Sequence, residues 1–180
     1  MPAESDEEAA AEAISRAIEA GTDGIVVPGD LLVEAATLPR QNPSLYNEIA
    51  AMNVAQKLKL ALRGNRDART LLARDNNKII RRFVLNNPMI TEEEIINIAR
   101  DKNATEEVLR FISERGDWVK NYGVRRSLAT NPKTPLAIAQ RNLATLLITD
   151  LARIARSKDI PQAVVIQARK MVIIARDRGQ

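Results

Sequence analysis

Apolar positions along this chain recur three and four residues apart far more often than they alternate, which is the spacing of helices with one covered face. Residues 7–20 place Ala10, Ala13, Ile14, Ala17 and Ile18 on one face, and Gly21 follows where a helix C-cap belongs. The next stretch, "GTDGIVVPGDLLVEAATLPRQNP", is dense in Gly and Pro. There Asp30 is placed to cap a brief helix over Leu31 to Leu38, and Ile25-Val26-Val27 has strand character without a partner segment. Residues 21–43 therefore read as a linker with a helical turn or two. From Ser44 the texture stays helical: Leu45, Ile49, Met52, Leu58 and Leu62 keep near-helical spacing between an opening Asn42-Pro43 and a closing Gly64. Short helices are then expected about every dozen residues, separated by "RDNNK", "NNPMIT", "RDKNAT", "ERGDW", "TNPKTP" and "RSKDIP". Expected N-caps are Thr91 with Glu94 as a capping box, Asn103 with Glu106 as another, and Thr134 ahead of Pro135, whose ring suits the first helical position.

The pattern repeats. The pairs Arg81-Arg82 and Arg125-Arg126, and the pairs Asn87-Pro88 and Asn131-Pro132, both recur at 44 residues. A second signature, apolar-Ala-Arg followed by Asp or Ser, begins at Leu72, Ile98, Ile154 and Ile174. Its second and third occurrences are 56 apart rather than 44, so the repeats are degenerate, with an insertion of 12 near "RNLATLLITDLA". On a wheel of about 100° per residue, Ile79, Ile80, Phe83 and Val84 share an arc of roughly 140°, with Arg81, Arg82 and Asn86 outside it. Val124, Ser127 and Leu128 repeat that arc, with Arg125 and Arg126 again facing away. An isolated helix below ~12–15 residues is marginal in water, so such units must bury one another. The Asn-Pro corner follows from stereochemistry: proline forces extended geometry on the residue before it and ends the helix. Asn86, Asn87 and Asn131 can bond nearby backbone, and Thr91 or Thr134 starts the next helix.

The stretches "LLARDNNKIIRRFVLNNPMIT" and "VRRSLATNPKTPLAIAQ" resemble the leucine-rich-repeat-variant and HEAT-like families, whose units run as a helix beginning Val-Arg-Arg, a junction Asn-Pro-x-Thr-Pro and a second helix. The likeness covers roughly residues 65–176. It implies an all-α, right-handed α-solenoid of short degenerate repeats. Some variant-repeat proteins also carry a cysteine-ligated iron–sulfur segment, which this cysteine-free chain cannot hold.

Composition narrows the chemistry. At 45% hydrophobic but 3% aromatic, any core must be Leu, Ile, Val and Ala, a helical palette. With no Cys and no His, disulfides, thiolate or imidazole metal ligation, thiol nucleophiles and imidazole bases are all removed. Glu92, Glu93 and Glu94 are accounted for by a helix N-terminus, and "GTDG" and "PGDL" lack phosphate-loop spacing. The expectation is therefore no enzyme, no cofactor and no metal. No stretch approaches the ~20 apolar residues of a membrane span, and the acidic start has no apolar signal region, so a cytoplasmic protein without membrane association is expected.

The net charge of +4 hides a split: residues 1–50 carry ten acids against two arginines, and residues 51–180 carry 25 bases against 13 acids. Two domains are read from this, residues 1–43 as an acidic amphipathic helix with linker and residues 44–180 as the helical-repeat domain. The acidic helix is expected to cap the first repeat or mask an arginine face. Two functions are in view. One is a non-catalytic scaffold that binds a protein partner. The alternative is a binder of acidic partners or of duplex nucleic-acid backbone through Lys78, Arg81, Arg82, Lys120, Arg125 and Arg126. Against both stands a solvated face with ion pairs to Glu92, Glu93 or Asp101. The aromatics Tyr46, Phe83, Phe111, Trp118 and Tyr122 are too few for a single-strand stacking platform, with Phe83 and Phe111 on apolar faces. Trp118 is expected to close the gap between repeats or to offer an exposed contact. The oligomeric state stays open.

Overall fold

A computed structural model describes residues 3–34 and 43–177. Among these the protein is all-α, with twelve α-helices, one 3-10 turn and no strand. None of these helices is long and apolar enough to cross a membrane. The chain divides into two compact units, Met1–Ile90 and Thr91–Gln180. The compositional boundary at 43/44 falls inside the first unit, because the acidic helix contributes to that unit's core.

The first unit holds α1 (Ala3–Glu19), the 3-10 turn Gly29–Leu32, α2 (Pro43–Ala51), α3 (Val54–Arg63), α4 (Arg66–Leu72) and α5 (Lys78–Val84). Helix α3 is its centre, packed by α1, α4 and α5. It is buried on more than one side, at Leu58, Leu60, Ala61 and Leu62, as a helix surrounded by others must be. On α1 the covered stripe is Ala11, Ile14, Ser15 and Ile18, and Ala10 and Ala13 are exposed. The expected face was rotated because a run of alanines marks no side by itself. Gly21 ends α1 as expected, at φ 68°, with Thr22 N–H donating to Ala17 O (3.0 Å) and Gly21 N–H to Ile18 O (3.2 Å), the paired bonds of a left-handed C-cap.

Three expectations in this unit change. Ile25-Val26-Val27 forms no strand: Ile25 and Val27 lean on the core, and α3 side chains serve the backbone between them. Lys59 Nζ donates to Ile25 O (2.7 Å) and Gln56 Nε2 to Val26 O (3.0 Å). The brief helix over Leu31 to Leu38 is the 3-10 turn Gly29–Leu32, with Pro28 in the cap position and Asp30 in the first turn; residues 35–38, like Asn42, lie outside the described residues. The single helix from Ser44 to Gly64 is two, because Asn53 restarts it: Gln56 N–H donates to Asn53 Oδ1 (2.9 Å) and Asn53 N–H to Gln56 Oε1 (3.1 Å), a reciprocal capping box. Gly64 closes α3 at a crowded point, since a Cβ there would lie 2.3 Å from Leu60 O.

The second unit holds α6 (Glu92–Arg100), α7 (Glu106–Glu114), α8 (Gly116–Val119), α9 (Tyr122–Thr130), α10 (Leu136–Leu143), α11 (Ile148–Ile154) and α12 (Gln162–Asp177). Helix α9 packs on α6 and α10, and α12 on α10 and α11. Ala129, Ala139, Leu143, Leu151, Ile154, Val164, Ala168 and Val172 form one core cluster. Thr91 and Glu94 make the expected capping box. The cap of α7 is Thr105, two residues past the expected Asn103, whose own N–H is taken by Asp101 Oδ1 at 2.8 Å. Pro135 occupies the cap position of α10 rather than its first turn, and Thr134 does not cap: its hydroxyl oxygen is buried without a hydrogen-bond partner.

Residues 44 apart in the sequence carry matching local features on α5 and α9. Ile80, Phe83 and Val84 are buried on α5, and Val124, Ser127 and Leu128 on α9, the arcs expected. The N-caps of α5 and α9, Asn77 and Asn121, are themselves 44 apart, and each accepts from the backbone N–H two residues on. The Asn-Pro corners share one device. Asn87 Oδ1 accepts from Met89 N–H (2.9 Å), and its Nδ2 donates to Ala61 O (3.0 Å) and Gly64 O (3.2 Å) at the end of α3. Asn131 Oδ1 accepts from Lys133 N–H (2.9 Å), and its Nδ2 donates to Ala99 O and Asp101 O (2.8 Å each) at the end of α6. A third buried asparagine, Asn65, caps α4 through Ala68 N–H (3.0 Å) and donates to Asp30 O (3.0 Å) and Val33 O (3.2 Å).

Replacing Asn131 by Ala strands two carbonyls and removes a turn, and is expected to cost about 2–3 kcal/mol in urea unfolding, whereas Asn97→Ala on the exposed side of α6 stays within about 0.5 kcal/mol. Asn131→Asp keeps the accepting arm but aims a carboxylate at two carbonyls. Its folded pKa is then raised above the unfolded ~3.9, so it is expected to be less stable than Asn131→Ala at pH 7 and to recover relative to it as pH falls toward 4.

Candidate functional site

The six cations singled out by the repeat fall into two groups of three. Lys78, Arg81 and Arg82 stand on α5 in the first unit; Lys120 caps α8, and Arg125 and Arg126 stand on α9, in the second. Lys78 and Lys120 are exposed. The four arginines, expected to face solvent, are all half-buried. The reason is that each pair flanks its helix's apolar arc, where the long stems lie along the core edge, and the heads of Arg82, Arg125 and Arg126 find partners inside their own unit.

Arg82 pairs with Glu8 of α1, and its other terminal nitrogen is 3.8 Å from Glu12 Oε1. The acidic helix thus reaches one member of the repeated pair. Arg125 lies over the Tyr122 ring at 5.7 Å, and one terminal nitrogen donates to Val119 O (3.1 Å) and Lys120 O (3.0 Å), placing a positive charge on the carbonyl end of α8. The first arginine of both pairs, Arg81 and Arg125, has its Nε buried without a hydrogen-bond partner, so the repeat reproduces a position as well as a residue. Lys120 is joined to Asp117 at 2.7 Å. That hydrogen bond holds the Lys120 ammonium above its usual pKa and the Asp117 carboxyl below its own, but both groups are open to solvent and the pair is worth little.

Arg126 leads to a cluster that the sequence did not indicate. Its Nε lies 3.5 Å from Asp150 Oδ1, and an Arg153 terminal nitrogen lies 3.5 Å from the same oxygen. The Tyr122 hydroxyl donates to Asp150 and accepts from Leu147 N–H (3.3 Å). Asp150 is buried, at 8% exposure. Burial, and after it the hydrogen bond to Asp150, pushes the Tyr122 phenol above its usual pKa. Two guanidinium groups and a phenol around one carboxylate form a charge-compensated network that ties α9 to the start of α11. Asp150 lay inside the apparent insertion, where no repeat marked it. The ion pairs of Arg82 and Arg126 run to Glu8, Glu12 and Asp150.

Two further groups complete the chemistry. Arg69 of α4 is 1% exposed, pairs with Glu34 and donates to Gly64 O (3.0 Å), while Glu34 also accepts from Arg66 N–H (3.2 Å). Its sequence signal was an arginine set between Ala68 and Leu72 on a buried arc. Trp118 is half-buried, 6.2 Å from Phe111, with the Arg115 guanidinium over both rings at 4.7 Å (Phe111) and 5.3 Å (Trp118). Phe83 is buried, and Phe111 only partly so.

A scan against protein-family models, a search of the curated proteins and a search of the solved structures each find no match to this chain.

Because Tyr122 is held protonated, its share of stability is complete below its ordinary pKa of 10.0 and is lost as pH rises through the raised folded value. Thermal unfolding between pH 8 and 11 is expected to fall less steeply for Tyr122→Phe than for the native chain above about pH 10. At pH 7 the same substitution removes one donor from Asp150 and is expected to cost about 1–2 kcal/mol.

Proposed function

We propose that this chain is a non-catalytic helical-repeat scaffold, a stack of short helices of the right-handed solenoid kind, that holds a protein partner on its surface. One contrast carries the reading. Arg82, Arg125 and Arg126 are each engaged by groups of the chain itself, whereas Leu136, Leu147, Ile148, Ile166, Ile173 and Ile174 stand 44–62% exposed in the second unit. A duplex-backbone binder gains affinity by offering each phosphate a cation that gives up only water. At these three arginines a phosphate must first compete with Glu8, Glu12, Asp150 or a helix-end carbonyl. Open aliphatic side chains, by contrast, gain from being covered by another protein. Glu8 and Glu12 on Arg82 give the acidic helix a masking role at one cation, which further weakens the alternative of nucleic-acid binding.

The reading is tested by titrating the full chain with a mixed-sequence 20-base-pair duplex between 50 and 200 mM salt. Each neutralised phosphate adds ~0.9 to the salt slope, so the scaffold reading expects a slope below ~3 and a Kd weaker than ~10 μM at 200 mM. Replacing Glu8 and Glu12 by Gln is expected to raise the affinity no more than about threefold. A slope of ~6 or more overturns the reading in favour of nucleic acid. Affinity capture from the source cells closes the test: a stoichiometric protein partner is expected to survive nuclease treatment, and its absence counts against a scaffold.

A further inference from the structure

The four apolar-Ala-Arg signatures all fall at the ends of helices, at the close of α4, α6, α11 and α12. In three of them a later helix packs against the signature and at least one residue of the apolar-Ala pair is buried. Leu72 is fully buried in the cluster that α5 completes with Ile80, Phe83 and Val84. Ala99 is fully buried on α6, which α9 packs against, and its carbonyl accepts from Asn131 Nδ2 at 2.8 Å. Ile154 and Ala155 are 4% and 8% exposed beneath α12, and the Ala155 carbonyl accepts from Arg169 Nε at 2.8 Å.

The fourth differs. Ile174 is 49% exposed and Ala175 is open, and Ile173 and Ile166 on the same side of α12 are 58% and 44% exposed. At about 100° per residue these isoleucines lie opposite Val164, Ala168 and Val172, the face α12 buries. Helix α12 therefore has two apolar sides, and only one is covered by described residues.

We infer that the outward face of α12 is a docking site for an acidic amphipathic helix of a partner protein; the inference rests on the scaffold reading and names its surface. That the occupant is a helix follows from the three covered signatures, each closed by a helix laid across it. That it is acidic follows from charge: Lys170 lies among the isoleucines and Arg169 and Arg176 along one edge, against Asp177 as the acid of this face. The same charges argue against a second copy of the chain, since face-to-face pairing brings these bases together. A helix with Leu or Ile at every third and fourth position and Glu on its flanks satisfies both requirements.

The probe is a capped 18-residue helical peptide with leucines at that spacing and Glu flanks, alongside its twin with Lys flanks, followed by fluorescence anisotropy on the full chain. The Glu peptide is expected to bind at least tenfold more tightly than the Lys peptide. Ile173→Glu, at an exposed position that leaves circular dichroism and the urea midpoint unchanged, is expected to weaken the Glu peptide at least tenfold. Lys170→Glu with Arg176→Glu is expected to reverse the preference between the two peptides. No binding, equal binding of both peptides, or no effect of Ile173→Glu overturns the inference. Self-association of the native chain in sedimentation that Ile173→Glu abolishes also overturns it, by giving the face to a second copy. If Ile173→Glu still captures the nuclease-resistant partner, the scaffold reading stands and the α12 site fails; if the native chain captures none, the scaffold reading itself fails.

Discussion

Helix ends are the constraint on which this fold depends. Every α-helix leaves four N–H and four C=O groups without intrahelical partners. With α4, α5 and α11 only seven residues long and α10 eight, a large share of the backbone lies at an end. A buried carbonyl without a donor costs about 1–3 kcal/mol, so a chain of such helices folds only where its ends are served from elsewhere. Asn65, Asn87 and Asn131, each 6% exposed or less, supply that service twice over. One arm of each turns its own corner, and the other reaches back to carbonyls 23–35 residues earlier. Asparagine suits the task because it alone joins an acceptor and two donors on so short a stem. Proline after Asn87 and Asn131 fixes the extended geometry that aims the amide backwards.

Charge serves the same end. Arg125 holds the last carbonyls of α8, Arg69 holds Gly64 O, and Arg169 holds Ala155 O. Gly64 O takes both Arg69 and Asn87, so a single carbonyl joins two parts of the first unit. The basic excess beyond residue 50 thus reflects in part a fold that needs many long donors. The acidic start has a matching role: α1 is anchored by Ile18 in the core and by Glu8 and Glu12 on Arg82.

How far this was legible follows from where each signal sits. The helical class, the buried arcs of α5 and α9, the Thr91 box and the Gly21 cap were all readable, because each depends on residues within about four positions of one another. The break at Asn53 was readable too, since Asn53 and Gln56 form a capping pair, but the apolar spacing of Leu45 to Leu62 ran across it. The rotation of α1 was hidden by its alanines, and the burial of Asp150 by distance: Tyr122 stands 28 residues away, and no local pattern ties the two. The backward arm of Asn131 was invisible for the same reason, while its forward arm was expected.

Repetition and function separate at this point. The arginine pairs invite a functional reading because they recur, yet what recurs with them is a buried Nε at the first arginine and an acidic partner within the unit for the second. Asn77 and Asn121, Asn87 and Asn131 recur for reasons of backbone bonding. A feature the fold requires must appear in every copy, so recurrence by itself argues for architecture. Departures from the repeat carry the opposite weight. Ile174 occupies a position that is covered in Leu72 and Ile154, and it stands open with Ile166 and Ile173 beside it. Exposed aliphatic groups gain nothing for an isolated chain in water, and stability does not ask for them there. The open side of α12 is therefore a departure for which the repeat gives no architectural reason.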